Sequence, residues 1–133
     1  MATKTTLNSL VLTHKRIVRA LSNVGRYEHT TPLYKNLKLL KIPDIYKLEC
    51  LKLIHDQLYK QNIIHFQTVS DTHGMNTRHR HNLRPVFPHT EIQKRFVTYY
   101  GFLQYNALPE CLKANLNKDT FKIKLKQLLL SEY

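Results

Sequence analysis

The chain has 133 residues, with 21 Lys or Arg against 9 Asp or Glu, which gives a formal net charge of +12 at pH 7 with His neutral. This length fits one small domain, and a hydrophobic content of 42% is enough for a core, so the charge does not make the chain disordered. The sequence has no apolar run near the ~18 residues of a membrane span and no signal-peptide pattern at its start, so we expect an intracellular protein, nuclear or cytoplasmic, without a membrane partner.

Amphipathic spacing predicts the first helix. Apolar residues recur every three or four positions over residues 6–23, and Gly25 is a suitable residue to end the helix. Lys15, Arg16 and Arg19 lie off this apolar stripe. We therefore expect the Leu and Ile side of the helix to enter the core and the basic side to face solvent.

Proline-containing start signals predict two more helices. Pro32, which follows a threonine, favours a short helix to about Leu37 because proline suits the first helical turn. Pro43 and Asp44 favour a longer helix to about Lys60 for the same reason, with the acid facing the positive end of the helix dipole. At ~17 residues this helix would be about 25 Å long, enough to form the spine of the domain.

The region from residue 61 to residue 100 loses the helical period and becomes polar, basic and rich in histidine. Two short runs in it, Leu83–Phe87 and Phe96–Tyr100, have a β-like pattern and are predicted to pair as an antiparallel hairpin. Pro85 would place the first run at an edge, since proline cannot donate a ladder hydrogen bond. The prediction for this region is a long basic loop that contains a short hairpin.

The helical pattern returns after Gly101, with a break at Leu108-Pro109 and a last helix from about Lys118. The predicted fold is therefore mainly α. We expect a small single domain over residues 1–133, with helices in 1–60, the basic loop and hairpin in 61–100 and the C-terminal helices in 101–133.

The positive charge lies in three blocks, one before Glu28, one between Asp71 and Glu91 and one around Asp119. Such blocks attract polyanions, and nucleic acid is the commonest polyanion in a cell. The alternative is a solvated basic surface that has no specific partner. The residues predicted to contact nucleic acid are Lys15, Arg16, Arg19, Arg78, Arg80, Arg84, Lys122 and Lys126.

The sequence argues against an enzyme. With only 3 glycines, it can form neither a phosphate-binding Walker loop nor a dinucleotide-binding turn. Ser70, Asp71 and His73 stand close together, but the glycine-flanked turn that presents a nucleophilic serine is missing. The acids are scattered singly, so no pair could hold two metal ions for phosphoryl transfer.

Histidine and cysteine raise the question of a metal. The region from His65 to His89 carries five histidines, but zinc sites usually also use thiolates, and the 2 cysteines are far away. We predict solvated or phosphate-facing histidines and no metal or other cofactor. Cys50 and Cys111 are predicted to be reduced thiols in the core.

Several stretches, taken in order, resemble the region that follows the catalytic palm in reverse transcriptases of non-LTR retrotransposons, the LINE-like jockey and CR1 groups. The resemblance covers nearly the whole chain, and the ordered succession is more specific than any single stretch. The stretches are His14–Arg19, Tyr27–Leu37, Leu40–Leu48, His73–Arg78, Leu83–Pro85, Leu108–Pro109, Phe121–Lys126 and Leu128–Leu130.

This resemblance implies a thumb-like helical region and a C-terminal connector, which in the family help to hold template and primer. The segment Gly101–Asn106 departs from the family pattern, because Phe102 stands where the family often has Pro and Tyr105 where it often has Trp. The fingers, the palm and its Asp-Asp turn are missing as well. Without those carboxylates, the chain by itself should not polymerise nucleic acid.

Three hypotheses for the function remain open. The first is a non-catalytic module that binds RNA, DNA or an RNA:DNA hybrid through phosphate contacts. The second is a helical interaction or structural module that meets a polymerase palm, another protein or a second copy of itself. The third is a retroelement remnant without a selected function.

Overall fold

A computed structural model describes residues 4–60, 66–74, 77–114 and 117–133. The prediction of a mainly α fold is confirmed, because 66% of the described residues are helical and β structure in them is limited to one isolated antiparallel bridge between Thr68 and Leu83. The α-helices are α1 Lys4–Leu21, α2 Thr30–Asn36, α3 Ile42–Lys60, α4 Val69–His73, α5 Phe102–Asn106, α6 Glu110–Lys113 and α7 Lys118–Ser131.

The chain forms two compact units. Unit 1 consists of Met1–Tyr46 and Leu125–Tyr133, and unit 2 of Lys47–Lys124. Each unit has its own buried residues. The single-domain prediction stays a prediction.

Unit 1 is built around Tyr34 of α2, whose side chain is buried against α1. Its hydroxyl lies 3.0 Å from Nδ1 of His14, and burial raises the pKa of this phenol. The ring of Tyr133 meets Tyr34 edge to face, with the ring centres 6.4 Å apart. Tyr133 in turn donates a hydrogen bond to Asp44 Oδ2 at 2.5 Å and accepts one from the backbone nitrogen of Lys41 at 2.8 Å. These contacts join the last residue of the chain to the start of α3.

The burial of α1 differs from the prediction that its Leu and Ile side enters the core. Val18 is fully buried, but Leu10 and Ile17 are each 50% exposed and Leu21 is 65% exposed. At ~100° per residue these three side chains share one side of α1, turned roughly 80° away from Val18. Since α2 packs on the side that carries Val18 and His14, the Leu and Ile side is left accessible.

The core of unit 2 includes buried residues from α3, α5 and the first turn of α7. Leu51 and Ile54 are fully buried on α3. His55, also buried, stacks on the ring of Phe121 with the ring centres 3.9 Å apart. Phe102 of α5 is buried as well. The long α3 helix therefore supplies the packing surface of this unit, as expected from its apolar pattern.

The predicted β-hairpin is wrong. Val97–Gly101 forms a π-helical turn that leads directly into α5, and a 3₁₀ turn at Gln93–Arg95 precedes it. A backbone hydrogen bond from Val86 N to Thr98 O at 3.2 Å links this turn to the segment predicted as the first strand. The physical reason is that the backbone nitrogens of Tyr99 and Tyr100 both donate to Phe96 O, at 3.0 and 2.8 Å, so these donors are satisfied within the turn and not across a hairpin. Gly101, at the end of the turn, lies close to α3, where a Cβ atom would come within 2.8 Å of the Ile54 side chain. The described part of the 61–100 region is consequently more helical than its polar composition indicates.

The two cysteines occupy different environments. Cys50 is buried on α3, as predicted, whereas Cys111 is exposed on α6, so the prediction of a core position for Cys111 is wrong. Neither forms a disulfide. Residue 111 faces outwards because the buried side chain of the short α6 helix is its neighbour Leu112.

Candidate nucleic-acid interface

Three of the predicted arginines lie on one short segment of unit 2, residues 77–84, which we call the basic turn. Its chain reverses through two hydrogen bonds, from Arg80 N to Thr77 O at 3.1 Å and from Asn82 N to His79 O at 2.9 Å. The sequence has no acid between Asp71 and Glu91, so the turn presents a continuous stretch of positive charge.

The backbone of the basic turn is attached to α4 and to Gln67, two residues before that helix. The first two backbone N–H groups of α4, on Val69 and Ser70, donate to the carbonyls of Asn82 and Arg80, each at 3.0 Å. Arg84 N donates to Gln67 O at 2.9 Å. The free N–H groups at the start of a helix need partners, and here the basic turn supplies them. The turn is therefore a defined structure rather than an open loop.

Helix α4 is capped at both ends. At its N-terminus, Asp71 Oδ2 accepts hydrogen bonds from the backbone nitrogen and the hydroxyl of Thr68, both at 2.8 Å, in a capping box. At its C-terminus, Gly74 adopts a φ of +59°, a conformation that suits glycine because it has no Cβ. This five-residue helix is thus a stable support for the basic turn.

The side chains of Arg78, Arg80 and Arg84 are all exposed. Arg84 Nη1 donates to the Thr72 hydroxyl on α4 at 3.0 Å. Arg80 Nε donates to His81 Nε2 at 2.8 Å, which makes that ring nitrogen an acceptor. The bond to Thr72 holds the Arg84 guanidinium near the surface of α4. Because a guanidinium has five N–H donors, this bond leaves Arg84 with donors for an anionic ligand.

Asn106, the last residue of α5, holds the end of the basic turn in place, and sequence reasoning did not assign it this role. Its side-chain oxygen accepts a hydrogen bond from Leu83 N at 2.9 Å, and its amide nitrogen donates to Leu83 O at 2.8 Å. Leu83 is almost fully buried, at 2% exposure. The only signal in the sequence was the position of Asn106 at the end of the Gly101–Asn106 stretch.

Three other predicted contact residues lie on α1 of unit 1. Arg16 is exposed, whereas Lys15 and Arg19 are half-buried. Arg19 Nε donates to the backbone oxygen of Glu28 at 3.0 Å, so this arginine also ties the loop after α1 to the helix. The predicted basic side of α1 therefore has one exposed residue and two half-buried ones.

The last two predicted residues lie on α7, one helical turn apart. Lys122 is exposed and Lys126 is half-buried. Lys118, at the start of the same helix, forms an ion pair with Asp56 of α3, with Nζ and Oδ1 3.4 Å apart. Of the eight predicted residues, the structure thus gathers Arg78, Arg80 and Arg84 in one turn, and it distributes the others over α1 and α7.

Neither a metal site nor a membrane helix is found in the described part of the chain. Within residues 4–60, 66–74, 77–114 and 117–133, His, Cys, Asp and Glu side chains do not gather in threes around a point where an ion could bind. In the same ranges, every helix is too short or too polar to cross a membrane. His65, one of the five histidines considered above, lies outside the described residues, as does Asn76.

Comparison of the chain with protein-family models, with curated proteins and with solved structures found no match. The resemblance to the thumb and connector of a retrotransposon reverse transcriptase therefore stays a prediction. The candidate interface depends on the geometry of the basic turn alone.

Proposed function

We propose that this protein binds nucleic acid through the basic turn and contributes no catalytic step of its own. The observation that supports the proposal is the set of three exposed arginines on a segment attached to α4 and to Asn106. A charged segment that is already ordered loses little conformational entropy when it binds, which favours affinity. The resemblance to a template-holding region points in the same direction.

The mechanism is contact with the phosphate backbone. Arginine is suited to it because its planar group donates two parallel hydrogen bonds to phosphate oxygens. Backbone contacts carry no sequence information, so the protein should bind many sequences with similar affinity. Each phosphate neutralised releases counterions, and three contacts give a log-log salt slope of about −2 on a single strand or about −2.7 on a duplex. Five contacts in all would give a duplex slope of about −4.5.

The test is fluorescence anisotropy of labelled RNA, DNA and hybrid oligonucleotides at two or more salt concentrations. We expect a variant with Arg78, Arg80 and Arg84 changed to Gln to bind more weakly and to have a salt slope about 2 units shallower. A matched control changes the exposed Lys35, Lys38 and Lys124 to Gln, which removes the same total charge from other positions. Equal losses in the two variants, or no wild-type binding below ~10 μM at low salt, would contradict the proposal.

A second candidate function is a helical interaction module, favoured by the exposed side of α1. We propose that Leu10, Ile17 and Leu21 contact another helix, because half or more of each side chain is accessible to solvent. Light scattering over a range of protein concentrations tests self-association directly. A dimer that dissociates when these three residues are changed to Gln would support the proposal, and a strict monomer would contradict self-association.

A further inference from the structure

Phe87 is an aromatic side chain presented to solvent next to the basic turn. It is 86% exposed, and its neighbour Val86 is 62% exposed. Full burial of a phenylalanine side chain stabilises the folded state by about 1.5–3 kcal/mol. Because this ring is exposed, it lacks most of that stabilisation. With Val86 it forms an adjacent pair of exposed apolar side chains, and adjoining exposed apolar groups that are bordered by polar residues mark interaction surfaces.

The backbone on both sides of Phe87 is held in place. On one side, Val86 N donates to Thr98 O at 3.2 Å. On the other, the backbone nitrogens of His89 and Thr90 both donate to Gln93 Oε1, at 2.6 and 3.1 Å. A following proline also restricts Phe87 to extended conformations. The ring is therefore presented by an ordered chain, and its exposure does not come from a loose loop.

Basic residues lie on both sides of Phe87 in the sequence. Arg84 is three residues upstream, at most ~10 Å away along an extended chain. Lys94 and Arg95 follow downstream, and Glu91 forms an ion pair with Lys94. An exposed aromatic face within reach of an arginine matches a nucleotide, because the base stacks on the ring while a phosphate meets the cation. A purely apolar protein partner would leave these charges without a counterpart.

We infer that Phe87 is a stacking platform for an unpaired base and that the ligand is single-stranded nucleic acid, whose phosphates are held by the basic turn. This inference rests on the proposed function and narrows it. In a duplex each base is already stacked between its neighbours, so its face is not available to Phe87. A single strand offers both a free base and a flexible backbone that can follow the turn.

The experiment compares Phe87→Ala, Phe87→Leu and Phe87→Tyr with wild type on single-stranded RNA, single-stranded DNA of the same sequence and a blunt duplex. Anisotropy is measured at low salt with strands of ~12 nucleotides. We expect Phe87→Ala and Phe87→Leu to lose roughly 5- to 150-fold in affinity for single strands, with little change on the duplex, and Phe87→Tyr to keep wild-type affinity. The matched control, Leu103→Ala, removes a 43% exposed apolar side chain from α5 and should change nothing.

Failure of this inference can be told apart from failure of the proposed function. If the arginine variant loses binding but Phe87→Ala stays within 2-fold of wild type on single strands, the stacking role is overturned while backbone binding stands. Equal losses on single strands and duplex would overturn it too, as would full retention of affinity by Phe87→Leu. No wild-type binding to any nucleic acid overturns both. A difference between the RNA and DNA arms identifies which single strand is preferred.

Discussion

The hydrogen bonds from Asn106 to Leu83 predict a specific loss of stability in Asn106→Ala. The change removes the partners of one backbone N–H and one backbone C=O, at a residue that is 2% exposed. A buried polar group left without a partner costs about 1–3 kcal/mol, and two of them give ~2–6 kcal/mol. Because Asn106 is half-buried, water can reach part of the site, so we expect a loss near the lower end, about 2–3 kcal/mol.

Urea unfolding followed by circular dichroism measures this loss, with the exposed Asn36→Ala as control, which should stay within ~0.5 kcal/mol of wild type. A second variant, Asn106→Asp, keeps the acceptor for Leu83 N but faces Leu83 O with another acceptor. At pH 7 this variant should be at least as unstable as Asn106→Ala. Below about pH 4 the protonated carboxyl can donate to Leu83 O, so the stability of the variant should move back toward that of wild type. An Asn106→Ala protein within 0.5 kcal/mol of wild type would refute the stabilising role of the Asn106–Leu83 hydrogen bonds.

Three further predictions concern the cores of the two units. Tyr133→Phe removes the donor to Asp44 and should cost about 1–3 kcal/mol in thermal unfolding; an unchanged Tm would contradict the contact. Burial raises the pKa of Tyr105 above its ordinary 10.0, so the folded state holds this proton more tightly than the unfolded state. The stability that comes from keeping this phenol protonated is fully present below pH 10 and is lost as the pH rises above it. Urea unfolding at a series of pH values should therefore show a smaller fall in the free energy of unfolding for Tyr105→Phe than for wild type. Gly101→Ala brings a Cβ within 2.8 Å of Ile54 Cδ1 and should cost about 1–2 kcal/mol. Adding Ile54→Val, which removes that atom, should recover part of this cost in a double-mutant cycle, and strict additivity would count against the clash.

The pattern of helices was predictable because it depends on neighbours within one or two turns. The start and end of α1 and α3 are within two residues of the positions indicated by apolar spacing and by Pro43. The basic character of residues 77–84 was equally visible, since charge is a property of composition. These local signals were enough for the mainly α class and for a list of candidate arginines.

Tertiary structure decided which of those residues form a site and which surfaces are exposed. Leu10 and Val18 belong to the same apolar stripe, yet only Val18 is buried, because burial depends on where α2 packs. Asn106 reaches Leu83 across 23 positions, a contact that no local pattern could indicate. Phe87 is an apolar residue of the kind usually found in a core, yet its side chain is exposed to solvent. The backbone on either side of it is held by hydrogen bonds from Val86 N to Thr98 O and from His89 N to Gln93 Oε1. Helix propensity and local charge depend on residues close in sequence, whereas the burial of a side chain and its place in the fold depend on contacts with residues distant in sequence.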